Sequence, residues 1–416
     1  MSFQYQDNKL HCDGLDVKDI ASEFNTPLFI YSESLLQRNA EVLRECFIKR
    51  GFKVSYAIKA NPNPTILQLF KSYGFGLDIV SGGELKMALH AGFQGDEINY
   101  AGVGKTQEEL DLALDTGIAY FNVESLFELE QLNTRATQSG KTANVLLRLN
   151  PDIDPQTHPH ISTGLKENKF GMCEEDVTNI LEHPGDYPGV KLAGIHTHIG
   201  SQIKRSQPFD ELINYLADYT QRLESRGIEI SDIDFGGGFG VNYEDPFEDI
   251  LQTTPYLDSF AEKAAAKLGK YQLHVQPGRV LVANTAVLVT EVLGTKVNHG
   301  HHFTVVDAAS TEIIRPALYN AHHAVYAYHK HTDIHTSDIV GPVCESSDFL
   351  AKRREIQTSE TGDLLIIGSA GAYASSMSST YNLRMLCPEV LVKRSGDRKL
   401  IKRRQTFDEM IELFKT

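Results

Sequence analysis

SYAIKANPNP, residues 55–64, is the stretch from which the fold can be read. It closes an apolar run, KVSYAI (53–58), with a lysine, Lys59, and breaks at once into Ala60, Asn61 and Pro62. A strand this apolar reads as buried on both faces, as in a parallel sheet. A lysine at its C-terminal end has two uses. Its stem can lie on apolar surface while the ammonium snorkels to water. Alternatively, held partly away from water at the mouth of the sheet, it gives up its proton more easily and joins an aldehyde. The other strand ends decide between them.

Seven further runs have the same texture: 75–80 (FGLDIV), 97–101 (EINYA), 119–123 (AYFNV), 143–149 (ANVLLRL), 191–199 (KLAGIHTHI), 232–236 (DIDFG) and 271–276 (YQLHVQ). Amphipathic segments alternate with them. SGGELKMALHAG and TQEELDLALDTG each open near Ser or Thr with Glu in the first turn and stop at Gly, which is capping chemistry. PFDELINYLADYTQRLESRG puts Phe209, Leu212, Ile213, Leu216 and Tyr219 on one stripe. Eight βα units predict a (β/α)8 TIM-like barrel over 33–278. From about 280 the pattern turns to β-branched runs (VLVANTAVLVTEVL, HFTVVDAA, SDIVGPV, DLLIIGS, EVLVKR), ending in a helix at TFDEMIELFK. This predicts a C-terminal all-β domain over 279–416, joined by residues 1–32 through the strand TPLFIY (26–31).

Bulk composition narrows the function. A net charge of −15 argues against a nucleic-acid surface. No apolar run approaches the roughly 20 residues that span a bilayer. Five cysteines, at 12, 46, 173, 344 and 387, show no CxxC spacing. With no export signal at the N-terminus, they suggest reduced thiols and a cytoplasmic protein.

In a barrel the strand ends share one mouth. Here they carry Lys59; Asp78 with Ser81 and Glu84; His196 and His198, followed by Ser201; Gly236, Gly237 and Gly238; and Gln276, Gly278 and Arg279. The glycines suit close approach of backbone amides to an anion, and Ser201 and Arg279 favour phosphate as that anion. His196 and His198, at i and i+2, share a strand face, yet no third ligand of matching spacing supports a metal. A flat imidazole against a flat ring is the better use. An amine for an aldehyde, a phosphate nest and a stacking ring together meet the needs of pyridoxal 5'-phosphate.

The motifs TPLFIYSE, YAIKAN, GFGLDIVSGGEL, GVGKT, FNVES, HTHIGSQI, GGGFGV and PGR resemble the fold-type III pyridoxal-phosphate decarboxylases. GAYASSMSSTYN shares that resemblance, and HISTGLKENKFG, RPALY and CESSDFLAK together are similar to the diaminopimelate branch of that family. The resemblance spans nearly the whole chain. It implies decarboxylation of meso-2,6-diaminopimelate to L-lysine and CO2, the last step of lysine biosynthesis, by a homodimer with shared sites. It assigns the cofactor's aldehyde to Lys59, its ring to His198, and its phosphate to Ser201, Gly236, Gly237, Gly238 and Tyr373. The substrate's distal carboxylate falls to Arg279, Arg315 and Tyr319. Cys344, as proton donor, and Glu345, as reader of the distal amine, would come from the neighbouring subunit.

One family residue is changed. The turn before Arg279 normally begins with Glu, whose charge favours a proton on the cofactor's ring nitrogen; here it is Gln276. A neutral amide favours that proton less, so Gln276→Glu is expected to raise kcat. The change also leaves room for a related decarboxylase acting on another amino acid or a conjugate. A cofactor carrier would not need Arg315, and a racemase would place a tyrosine where this chain has Cys344.

Overall fold

The computed structural model describes residues 2–154 and 169–415. The motif HISTGLKENKFG therefore lies outside the described residues except for its last three. The chain forms two compact units. One comprises Ala40–Gly240 and Ile250–Arg279; the other comprises the residues up to Asn39, Val241–Asp249, and the chain from Val280 on.

The N-terminal region supplies β1 (Phe3–Gln6), β2 (Lys9–Cys12), β3 (Leu15–Asp16) and β4 (Leu28–Ser32). The next eight strands are β5 (Lys53–Ala57), β6 (Gly76–Ile79), β7 (Ile98–Tyr100), β8 (Tyr120–Val123), β9 (Ala143–Arg148), β10 (Val190–His196), β11 (Asp232–Asp234) and β12 (Gln272–Val275). They close into a parallel barrel in which β12 meets β5 with His274 opposite Lys53. Each falls on one of the eight apolar runs. The helices between them begin and end by the expected chemistry. Ser81 Oγ accepts the Glu84 amide at 3.1 Å, and Thr106 and Glu109 cap each other reciprocally ahead of the helix that stops at Gly117, φ 69°. Helix Gln207–Ser225 buries the stripe of Phe209, Leu212, Ile213, Leu216 and Tyr219.

The second unit is built on a nine-stranded sheet. Its remaining strands are β13 (Ala286–Asn298), β14 (His301–Val306), β15 (Val325–Ala327), β16 (Ile334–Val340), β17 (Phe349–Gln357), β18 (Leu364–Ile367), β19 (Glu389–Val392) and β20 (Arg398–Lys402). Their order is β17-β16-β14-β13-β4-β19-β20, with β18 also paired to β13 and β15 to β18. The N-terminal β4 is central: Ile30 lies antiparallel to Val287 and parallel to Val390, and all three are buried.

One expectation needs correction. The run read as a strand from residue 280 is helical over Arg279–Val282 and Ala283–Thr285, and the strand starts at Ala286. Periodicity cannot separate a short buried helix from a buried strand. By compactness, 33–39 and 241–249 group with the sheet unit, while the barrel unit still ends next to the expected boundary, at Arg279. Within the sheet unit, Leu35 joins the apolar core, Asn39 Nδ2 donates to Leu281 O at 3.0 Å, and Phe247 packs on Phe3 and Tyr326.

Candidate active site

Lys59 lies in a 3-10 turn, Ile58–Ala60, one step past β5. Ile58 and Ala60 are buried and anchor the turn, whereas the lysine side chain is exposed. The amine is thus presented by its apolar neighbours. The partial burial expected from sequence is absent in the single chain.

Two acids flank the same mouth. Asp78, from β6, is buried, and the Glu84 carboxylate accepts the Val80 amide at 2.7 Å. Burial pushes Asp78 up to about 6 and Glu84 up to about 7, with the charge of Lys59 opposing the rise in each. Both acids therefore titrate near neutrality beside the amine.

Gln276 follows β12 directly, inside a buried chain of hydrogen bonds. Its Nε2 donates to Asp234 Oδ2 at 2.8 Å, and its Oε1 stands 3.1 Å from His196 Nε2, which carries the proton. Asp234 Oδ1 accepts the Gly236 amide at 2.8 Å. Burial raises Asp234 to about 8 and keeps His196 neutral. The two histidines do not share a strand face: β10 ends at His196, and His198 stands beyond it, half-buried, with Nδ1 accepting the Gly237 amide at 3.1 Å. Burial and the nearby Arg148 and Lys59 keep His198 neutral as well.

The glycine loop is fixed by close packing. Gly236 (φ 66°) and Gly238 (φ 101°) take a conformation that side chains disfavour. A Cβ at Gly236, Gly237 or Gly238 would strike the carbonyls of Thr197, Gln276 and Gly200 respectively. On either side, Phe235 and Phe239 anchor the loop in a buried aromatic cluster with Phe47, Phe209 and Phe260. The amides of Gly236 and Gly237 are already engaged within the chain, so of the three expected donors only Gly238 retains an amide for an anion among the described residues. Arg279 Nη2 donates to Ser201 Oγ at 3.0 Å, which brings a guanidinium and a hydroxyl together. Gly278 lets that turn pass Ala57 and Ala60, whose Cβ atoms would lie 3.2 and 3.3 Å from an added Cβ. This donor set suits a phosphate monoester, and the presented Lys59 amine suits an aldehyde. The mouth fits pyridoxal phosphate on both counts.

Sequence reading missed two buried ion pairs whose charges act on Asp78 and the two histidines. Lys105 and Glu128 pair at 2.6 Å, and Arg148 and Glu124 at 2.7 Å, all four buried. For three of the four the signal was a lone charge, in GVGKT, FNVES and VLLRL; Glu128 lies in helix Leu126–Gln138. Removing one partner from such a pair costs about 3–5 kcal/mol.

The sheet unit carries the remaining assigned residues. Arg315 is buried at the start of helix Arg315–Tyr319, and Tyr319 is half-buried. Tyr373, half-buried, is held at φ 55°. Cys344 and Glu345 are exposed and tied to one loop: the Cys344 amide donates to Asn382 Oδ1 at 3.0 Å, and Tyr381 Oη donates to Glu345 Oε1 at 2.6 Å. The hydrogen bond to Glu345, with the Glu345 charge behind it, pushes the Tyr381 phenol up.

Comparison with known proteins agrees with this chemistry. Residues 33–283 match the pyridoxal-dependent decarboxylase, pyridoxal binding domain family. The chain is 40% identical over 412 residues to the diaminopimelate decarboxylase of Aquifex aeolicus, covering 98% of this chain and 96% of that one. It is 39% identical to that of Haemophilus influenzae, covering 100% and 99%. Among solved structures, the M. jannaschii diaminopimelate decarboxylase in complex with L-lysine superposes with a TM-score of 0.92 at 34% identity, covering 100% of this chain and 98% of that one. An amine at a barrel mouth, polar donors beside it that suit a phosphate, and full-length identity near 40% lead to one conclusion: the chain belongs to the diaminopimelate decarboxylase family of pyridoxal-phosphate-dependent lyases.

Proposed function

We infer that this chain releases CO2 from meso-diaminopimelate to give L-lysine, the closing step of lysine biosynthesis. Full-length identity to diaminopimelate decarboxylases, together with the Lys59 mouth, carries the reading. When bound, pyridoxal phosphate supplies a ring that accepts the electron pair left by the departing carboxylate. Lys59 provides the amine that holds the cofactor and yields its place to the substrate. Arg279, Ser201 and the Gly238 amide bind its phosphate, joined in this reading by Tyr373. His198, neutral, packs on the ring. Arg315, with Arg279 and Tyr319, pairs with the carboxylate that the reaction leaves in place. Cys344, from a second copy of the chain, returns a proton to the carbon that lost CO2, and Glu345 binds the distal amine. The protein is then a cytoplasmic homodimer with shared sites. Purified, cofactor-loaded protein should convert meso-diaminopimelate to lysine and CO2 in equal amounts. A protein that keeps its cofactor absorbance but makes neither product refutes the assignment.

A further inference from the structure

Arg315 is 5% exposed, and its guanidinium touches two neutral groups, the rings of Tyr243 and His323. The Tyr243 ring lies 4.3 Å from its central carbon, and Nη1 lies 2.6 Å from Nε2 of His323. His323 is fully buried, with Nδ1 2.8 Å from the carbonyl oxygen of Gly368. A carbonyl only accepts and a guanidinium only donates. The imidazole therefore carries its proton on Nδ1 and turns the Nε2 lone pair to Arg315.

The backbone leaves little freedom for another arrangement. The Ala324 amide donates to Tyr243 O at 3.2 Å, and the Gly368 amide donates to Ala324 O at 2.9 Å. This ladder ties together the three segments that carry Tyr243, His323 and Gly368. A Cβ on Gly368 would collide with Pro246, so glycine is what allows the approach. The rings of Tyr243 and His323 meet edge to face at 5.0 Å.

We propose that His323 is a positioning residue for carboxylate recognition: its neutral imidazole fixes the plane of Arg315 without neutralising its charge. This rests on the reading of Arg315 as the clamp for the carboxylate that remains in the product. An aspartate or glutamate in that place would orient the guanidinium equally well, but it would compete with the substrate for the charge. A neutral acceptor adds no negative charge of its own to compete with an α-amino carboxylate, and the oriented guanidinium disfavours diamines that lack one.

The test uses two probes that differ only in that group. L-lysine keeps the carboxylate, and cadaverine is the same chain without it. Inhibition constants for both, with KM and kcat for diaminopimelate, are measured on the holoenzyme of the parent, His323→Leu, His323→Gln, Arg315→Ala and the double variant His323→Leu/Arg315→Ala. His323→Leu should weaken lysine and raise KM roughly tenfold, while cadaverine and kcat move less than about threefold. His323→Gln, which keeps an acceptor, should recover most of the loss. In the Arg315→Ala background, His323→Leu should add nothing further. Equal weakening of lysine and cadaverine, or full additivity with Arg315→Ala, overturns the proposal and leaves His323 as packing. An Arg315→Ala protein with an unchanged lysine-to-cadaverine ratio instead removes the clamp reading itself. Should His323→Leu fail to fold, His323→Glu carries the test. Pairing Arg315 with an internal carboxylate should abolish the preference for lysine, and an unaltered preference overturns the proposal.

Discussion

Gln276 is the residue at which sequence and structure lead to different experiments. Sequence alone suggests that restoring glutamate should speed the reaction. The structure puts the Gln276 amide against Asp234 at 2.8 Å, so Gln276→Glu sets two buried carboxyl groups side by side. Like charges at that distance cannot both ionise. The single variant should therefore lose about 1–3 kcal/mol of stability, with no gain in kcat. Exchanging the two roles, in Asp234→Asn/Gln276→Glu, restores a donor opposite an acceptor and leaves His196 its acceptor. The exchanged protein should melt close to the parent, and a melting point no better than that of Gln276→Glu would refute the pairing. Asp234 also has a pH signature. Burial raises it from the usual carboxylate range to about 8. Between about pH 4 and 8 the folded chain thus holds a proton that the unfolded chain has released, and stability is lost as pH rises through that window. Asp234→Asn removes this slope. Its deficit against the parent in denaturant melts should shrink from pH 4 to pH 8; a constant difference would mean that Asp234 is ionised throughout.

At the scale of the element, the glycine loop between β11 and the helix that follows is set by contact. Gly237→Ala drives a methyl into the Gln276 carbonyl, a backbone atom of a neighbouring strand end. Destabilisation of about 2–4 kcal/mol and weaker retention of the cofactor are expected. Gly83, in the first turn of helix Gly82–His90, has only Ser81 Oγ at 3.6 Å near an added Cβ. Gly83→Ala should stabilise by about 0.4–1 kcal/mol. Thermal melts of the pair separate a packing glycine from a helical one, and similar losses in both would show that the loop has room to move. These elements also mark what a sequence conveys. Strands and caps were legible because they are local: eight apolar runs gave eight strands, and Thr106 with Glu109 gave a helix start. The turn at Arg279–Val282 was not, because a buried β-branched tetrapeptide has the same pattern in either conformation. Nor was the engaged amide of Gly237, whose partner His198 lies 39 residues away and meets it only once the strand ends are brought together.

At the scale of the whole molecule, the residue types of the site were legible and their partners were not. KAN, GGG and PGR each pointed to a piece of the cofactor, but the acids tuned by burial and the paired charges of Lys105 and Arg148 depend on neighbours 20 or more residues away. The same limit applies to the assignment of Cys344. Exposed on its own chain and held by the loop that also anchors Glu345, it has the character of a group offered outward. If a second copy uses it, each site needs Lys59 from one subunit and Cys344 from the other. Lys59→Ala and Cys344→Ala proteins are then inactive alone. After equal mixing and random exchange, about half the dimers are mixed, and each holds one intact site and one doubly defective site, so about a quarter of the parental activity returns, from dimer symmetry. Recovery is read after exchange has been demonstrated with differently tagged subunits. Activity near that fraction supports the shared site. No recovery from a fully exchanged population means that each chain completes its own, and Cys344 then loses its role as proton donor across the interface.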